Sequence, residues 1–366
     1  MKEIYRTNKE SKLQGKYVHL SHISPLLKLY STVFDVQKIG HSFLKKPIFS
    51  VTLGTGPIKI LMWTQMHGNE ATATKVVCDL LKLFKNPDSP NSIKGILEKC
   101  TLKIIPILNP DGAEAYTRFN AQQIDLNRDA VNLEAIESQV LRNELERFQP
   151  DFCFNLHDQR NIYSVGLTKE PSSIAFLSPA TEETRKLTPE RIKAMGIIAK
   201  MYATLKQDIP KNLACYNDEF YPNATGDNFQ KEGYTTILIE AGHFKDDYNR
   251  EKVRYFYFKA LITGLLSITN DDYGTVKEYE NIPQNDKKYL DCIYNNVNLC
   301  QEGVYQNVSI GTIFIETVEN NKLKKEIKIE KIGNLSTYGA NNIYNLKGLK
   351  VPSVNEFFLL LSQSGY

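Results

Sequence analysis

The sequence predicts an α/β fold: a mixed, mostly parallel sheet with helices on both faces, followed by a small C-terminal all-β domain. Three observations lead there. Short continuous apolar runs, the signature of strands buried on both faces, alternate with segments of helical period. The chemically conspicuous polar residues each fall at or just after the C-terminal end of such a run, where open α/β sheets place their binding crevices. After Asp271-Asp272-Tyr273-Gly274 the helical periods stop and strand patterns take over.

In chain order, residues 1 to about 35 show short helical patterns, and His19 and His22 within them read as a surface or packed pair. Loose alternation from Gln37 to Thr52 predicts a β-hairpin or meander. Thr55-Gly56-Pro57 is turn chemistry, and Ile58 to Thr64 is a buried strand. Ala71 to Lys85 has helical period. A loop follows, and Ser92 is a candidate cap for another helix. Leu102 to Leu108 is the next strand, ended by Asn109-Pro110-Asp111-Gly112. Leu133 to Phe148 is an amphipathic helix stopped by Pro150. Phe152 to Leu156 is a strand running into His157. Glu182 to Leu205 is mostly helical, Thr235 to Ile239 is a strand running into Glu240, and Asp247 to Ile268 is a long helix. Beyond residue 275 the expected strands are Val297 to Leu299, Val304 to Val308, Thr312 to Glu316, Lys325 to Ile332 and Phe357 to Leu361. Glu326-Ile327-Lys328-Ile329-Glu330 alternates as a half-exposed strand should. The expected division is a larger domain over residues 1–272 and a β-rich accessory domain over residues 275–366.

A chain of 366 residues suits one large domain plus an accessory one. The net charge of +3 is small and spread out, which argues for neither nucleic acid nor an anionic membrane as partner. Met1 to Lys16 is polar and lacks the apolar core of a signal peptide. No run approaches the roughly 20 apolar residues of a membrane span. A cytoplasmic location is therefore expected. The six cysteines form no Cys-x-x-Cys pair and read as reduced structural thiols. Oligomeric state has no sequence signal.

Met66-His67-Gly68-Asn69-Glu70 follows the strand Ile58 to Thr64 and carries a histidine and a carboxylate three residues apart. With His157 it makes three candidate zinc ligands. Two imidazoles and one carboxylate leave a fourth position for water, as catalytic rather than structural zinc sites do. Taken alone, each residue also has an ordinary role: a histidine at a strand end can be a hydrogen-bonded core group, and Glu70 can cap the helix that follows.

Five elements occur in order: His67-Gly68-Asn69-Glu70, Asn109-Pro110-Asp111-Gly112, Asp125-Leu126-Asn127-Arg128, Asn155-Leu156-His157 and Ile239-Glu240-Ala241-Gly242. Over about residues 50 to 270 the chain resembles the zinc metallocarboxypeptidase family. The resemblance implies that His67, Glu70 and His157 bind one Zn2+ per chain. It implies that Asp125 orients the first histidine, as a metal-bound imidazole generally requires. Asn127 and Arg128 match the pair that holds the terminal carboxylate of the substrate, a role to which the guanidinium fork is suited. Arg118 matches an arginine that stabilises the oxyanion, and Glu240 matches the general base. The implied activity is removal of a C-terminal residue from a peptide or small amide with a free carboxylate. Three features depart from the digestive-type pattern. The tyrosine that closes over the substrate is Tyr216 or Tyr221, with Tyr221 preferred. The residue that reads the substrate side chain falls among Thr225, Gly226 and Asp227, and an acidic Asp227 suits a basic group unless it is simply a turn residue. The accessory β domain is not part of the minimal catalytic unit.

His67-Gly68-Asn69-Glu70 also resembles the opening motif of succinylglutamate desuccinylases and aspartoacylases, which cleave N-acyl amino acids and carry a C-terminal β domain. Asn109-Pro110-Asp111-Gly112 favours the peptidase, and the C-terminal domain favours the deacylase. A third possibility is a zinc-free binding module on the same fold, which nothing in the residues motivates.

Overall fold

The computed structural model describes residues 1–364. Two short helices, α1 (Lys2–Asn8) and α2 (Leu20–Tyr30), precede the antiparallel hairpin β1 (Asp35–His41) and β2 (Pro47–Leu53). Next come β3 (Ile58–Thr64), α3 (Thr72–Lys85), α4 (Asn91–Lys99), β4 (Cys100–Ile105), α5 (Pro110–Ala115), a 3-10 turn (Leu126–Arg128), α6 (Ile136–Phe148) and β5 (Phe152–Asp158). They are followed by β6 (Ser164–Val165), β7 (Ile174–Leu177), α7 (Pro189–Lys206), β8 (Leu213–Cys215), α8 (Thr225–Lys231), β9 (Thr235–Ala241), α9 (Glu251–Thr269), α10 (Val276–Glu280) and β10 (Asn285–Asp286).

Eight of these strands form one sheet in the order β1-β2-β4-β3-β5-β9-β7-β8. Its centre, β4-β3-β5-β9, is parallel, and antiparallel neighbours flank it on both sides. The sheet is thus mixed with a parallel heart, as predicted. Alternation along β3 shows why Ile60 to Trp63 had to be apolar throughout. Ile60 and Met62 face a core shared with Val77 and Leu81 of α3 and Leu261 and Leu265 of α9. Leu61 and Trp63 face a second core with Leu141 and Leu145 of α6 and Phe229 of α8. A stretch buried on both faces favours apolar side chains, so the polar groups of the site collect toward the strand ends. Among the described residues, no helix is long and apolar enough to cross a membrane.

The chain divides into two compact units. The first holds Met1–Gln159 and Ser172–Asn285. The second is built from Arg160–Pro171 together with the chain from Asp286 onward. The excursion Arg160–Pro171 carried no sequence signal of belonging there. The second unit is a sheet of β11 (Tyr289–Gln301), β12 (Val304–Glu319), β13 (Lys322–Gly333) and β14 (Gly339–Val351), ordered β13-β12-β11-β14. It ends in helix α11 (Val354–Ser364). The strand expected over Phe357 to Leu361 is therefore corrected to helix. Phe357 and Leu361, four apart, are the buried pair, with exposed Leu359 and Leu360 between them. Five consecutive apolar residues cannot by themselves distinguish period 2 from period 3.6.

Candidate active site

The turn that leaves β3 is built before it is chemical. Gln65 is fully buried at a φ of +50°. Its Nε2 donates to the carbonyls of Val18 and Gly68, each at 2.7 Å, and its Oε1 accepts from Thr74 Oγ1 at 2.7 Å. Gly68 then passes so close to α5 that a Cβ there would lie 1.9 Å from the carbonyl carbon of Gly112. Asn109 caps α5 by accepting from the Gly112 amide at 2.8 Å, and its Nδ2 donates to the Met66 carbonyl at 3.2 Å. The Asn109-Pro110-Asp111-Gly112 motif is thus the frame against which the His67 turn is set. It forms a capped helix start rather than a plain turn, with Pro110 at the first position, where its missing N–H costs nothing.

On this frame His67 and Glu70 meet His157, the penultimate residue of β5. Nδ1 of His67 stands 2.8 Å from Glu70 Oε1, and Nδ1 of His157 stands 2.8 Å from Glu70 Oε2. All three residues are buried, and one ligand atom from each lies within 4.8 Å of the others. Asp125 Oδ1 stands 3.0 Å from Nε2 of His67, and the Asp158 amide donates to Glu70 Oε2 at 3.0 Å. The electrostatics follow. Burial alone would raise the pKa of Glu70, but His67 and His157 outweigh it and hold the carboxyl well below its usual range. Burial likewise opposes ionisation of Asp125, and its hydrogen bond to His67 and the Arg118 charge overcome it. Burial would depress His67, yet Glu70 and Asp125 raise it, while His157 is depressed by burial.

The donor set fits a zinc ion: two imidazole nitrogens and a carboxylate, desolvated together. Both Nδ1 atoms turn toward one carboxylate, and Asp125 occupies the opposite nitrogen of His67. That leaves the His67 Nδ1 lone pair available to a metal, the arrangement that orients a ligating imidazole. His157 differs, because its Nε2 is buried with no hydrogen-bond partner among the described residues.

Glu240 sits on β9 as the register partner of His157 on β5. Its Oε2 is buried without a hydrogen-bond partner among the described residues. Burial, then the nearby carboxylates of Glu70 and Asp158, pushes its pKa well above the ordinary value. Arg118 comes from the loop after α5 and is partly exposed. Its Nε donates to Asp125 Oδ2 at 2.9 Å, and its Nη1 approaches Nδ1 of His67 at 3.3 Å.

The other expected residues gather one layer away. Asp125 caps the 3-10 turn by accepting the Asn127 amide at 2.9 Å. Asn127 Oδ1 accepts the Thr225 amide at 3.1 Å, which leaves its NH2 end as a donor. Arg128 is exposed and lies 5.6 Å from the ring centroid of Tyr221. Tyr221 is itself exposed, and its hydroxyl donates to Glu219 at 3.0 Å. The structure thus brings Tyr221 together with Arg128. Asp227, in the first turn of α8, is buried and accepts the Tyr221 amide at 3.3 Å. Its pKa is raised to about 6, chiefly by burial. Two residues escaped the sequence reading. Asp158 follows His157 and binds both the amide and the hydroxyl of Thr72, at 3.1 and 2.6 Å. Arg250 lies 3.3 Å from the same carboxylate. Asp158 was visible as a second charged group on a buried strand end; Arg250 had no signal.

The chain is similar to known carboxypeptidases in sequence and in fold. Residues 20–191 match the zinc carboxypeptidase family, Peptidase_M14. A protein named Probable carboxypeptidase 2 from Arthroderma benhamiae is 30% identical over 116 residues, which cover 31% of this chain and 21% of that protein. Carboxypeptidase 2 of Trichophyton tonsurans is 29% identical over 103 residues, covering 27% of this chain and 19% of that one. The match thus spans only about a fifth of these relatives. Among solved structures, the metallo-carboxypeptidase from Burkholderia cenocepacia shares the fold at 17% identity and a TM-score of 0.56, covering 69% of each chain. Carboxypeptidase A from Helicoverpa armigera does so at 13% identity and a TM-score of 0.55, covering 74% of this chain and 80% of that one. His67, Glu70 and His157 all lie inside the segment, residues 20–191, that matches the zinc carboxypeptidase family.

Proposed function

We propose that this protein is a zinc-dependent hydrolase that removes the C-terminal residue from a peptide or peptide-like amide. The observation that carries the proposal is the convergence of His67 Nδ1 and His157 Nδ1 on the Glu70 carboxylate, with Glu240 beside His157 on the next strand. One zinc per chain is held by His67, Glu70 and His157. When bound, it lowers the pKa of a water and polarises a carbonyl oxygen.

The chain supplies the rest. Glu240 takes a proton from the attacking water and delivers it to the leaving amine. Its raised pKa suits that exchange, because an acid and base used in one cycle works best with a pKa nearer the working pH. Arg118, held by Asp125, offers its guanidinium to the developing oxyanion. Asn127, with its Oδ1 engaged by the Thr225 amide and its NH2 group left as a donor, and Arg128 grip the terminal carboxylate of the substrate. Tyr221, near Arg128, covers the bound end, and Asp227 borders the pocket for the departing side chain. One similar structure, the metallo-carboxypeptidase from Pseudomonas aeruginosa, is a complex with (2-guanidinoethylmercapto)succinic acid, a carboxylate carrying a basic group. That pairing supports a basic C-terminal residue as the first class to try.

The second reading, an N-acyl amino acid deacylase, is favoured by the sheet unit beyond Asp286. Zinc-loaded protein incubated with C-terminally varied peptides, cell-wall peptides and N-acyl amino acids, read by mass spectrometry, separates the two. Release of single C-terminal residues supports the carboxypeptidase. Cleavage confined to N-acyl amino acids transfers the site to the deacylase.

A further inference from the structure

His157 and Glu240 lie opposite each other at the ends of β5 and β9. Immediately beyond them the two backbones run through Asp158-Gln159 and Ala241-Gly242. One buried guanidinium spans both. Arg250 Nη1 donates to the Ala241 carbonyl at 2.5 Å, and Nη2 donates to the Gln159 carbonyl at 2.5 Å. Nη1 also lies 3.3 Å from Asp158 Oδ2. The same Asp158 donates its amide to Glu70. Its carboxylate takes the amide and hydroxyl of Thr72, two residues past Glu70. The arginine is held in turn. It stands in the left-handed region at the N-cap of α9, with its amide bonded to the Asp247 carbonyl at 2.9 Å. The Asp247 carboxylate accepts the next three amides, those of Glu251, Lys252 and Val253, at 2.9 to 3.0 Å.

We infer that Arg250 is a positioning residue that sets the spacing between the His157 and Glu240 side chains by tying together the backbones immediately after them. Three features carry this. The fork reaches a carbonyl on each strand, which a point charge on a flexible stem does not reproduce. The contacts lie one and two residues past the two groups, so a shift in either strand end moves a side chain at the site. The link to Asp158 extends the clamp to Glu70, so one residue spans the metal-ligand side and the base side. The alternative is that Arg250 merely balances the buried Asp158 charge. The inference rests on the zinc-hydrolase reading of the site for its effect on turnover, but not for the clamp itself.

The test uses Arg250→Lys, Arg250→Met and the double variant Arg250→Met with Asp158→Asn, each in the full chain. Lysine keeps the charge and loses the fork. The double variant removes the charge that needs balancing. All are expected to retain the zinc content of the parent. Their kcat should fall about 10- to 100-fold, the usual effect of losing a support behind a metal site, with KM little changed. Amide exchange at Gln159 and Gly242 should quicken in zinc-free and zinc-loaded protein alike, while exchange in β3 stays as in the parent. Parental turnover and exchange in Arg250→Lys, or their recovery in the double variant, would mean charge balance alone and overturn the inference. If Arg250→Met does not fold, Arg250→Lys carries the test. If the parent cleaves no peptide or amide, the functional reading fails, and the exchange measurement still decides the clamp.

Discussion

The carboxylate of Asp125 stands 3.0 Å from Nε2 of His67, while its other oxygen holds Arg118 Nε at 2.9 Å. One side chain therefore fixes both the tautomer of a proposed zinc ligand and the direction of the proposed oxyanion arginine. Asp125→Asn should weaken zinc binding by about 10- to 100-fold, measured by competition with a chromophoric chelator. It should also lower kcat at saturating zinc, because Arg118 loses its anchor. Unchanged zinc affinity would remove Asp125 from the supporting role.

Glu240 makes two predictions with one variant. It is not among the three clustered ligand residues, so Glu240→Gln should bind zinc like the parent. As the general base it should lose turnover by about 10²- to 10⁴-fold. The sign of the pH dependence follows from its raised pKa. The base works ionised, so activity is lost as pH falls through the folded-state value, and the acid limb should lie above the ordinary glutamate value of about 4.3. A bound dication draws that limb downward without abolishing it. A Glu240→Gln enzyme with parental turnover would show that the proton passes elsewhere.

Metal removal should leave a folded protein. Glu70 lies within hydrogen-bond reach of both imidazoles, 2.8 Å from each Nδ1, so its buried carboxylate keeps partners within the chain. Chelation should lower the melting temperature by the binding linkage alone, about 4 kcal/mol of stability at a zinc concentration a thousand times Kd. Loss of cooperative unfolding on chelation would instead make the ion a structural element.

The parts of this site visible in the sequence are those that a buried strand delivers. Ile60 to Trp63 and Ile237 to Ile239 are apolar throughout, so His67 and Glu240, which follow them closely, stand out by position. The short strands Ile174–Leu177 and Leu213–Cys215 left no trace, because three or four residues are too few for a period to register. Asn109-Pro110-Asp111-Gly112 was visible as a motif but not as a frame. Its contact with Gly68 is a backbone approach between segments that no residue pattern encodes. Arg250 and Asp158 are far apart in sequence, and an arginine after a loop looks like any surface arginine.

Asp227 gives a stability prediction of defined sign. Its pKa rises from the ordinary 3.8 to about 6, chiefly through burial. Between those values the folded chain binds a proton that the unfolded chain has released, so stability falls as pH rises through that window. The effect is on the order of 2–3 kcal/mol. Asp227→Asn cannot titrate, so thermal unfolding in chelator should show the parent losing ground to the variant from about pH 4 to pH 6. Parallel curves would mean the carboxyl titrates near its ordinary value.

Arg128 separates recognition from chemistry. It is exposed at the edge of the site, beside the Tyr221 ring and with Nη1 donating to the Asn127 carbonyl at 2.6 Å. None of these contacts neutralises its charge, so a substrate carboxylate is the anion it can accept. A charge-assisted hydrogen bond is worth about 1.5–3 kcal/mol. Arg128→Ala should therefore lower kcat/KM on free-acid peptides by roughly 10- to 100-fold. The same peptides with amidated C-termini lack the anion and should be poor substrates for parent and variant alike. Assaying both forms against both proteins gives the decisive comparison. A loss confined to the free acids marks Arg128 as the carboxylate grip, whereas an equal loss on both forms would place its role in the fold of the 125–128 turn.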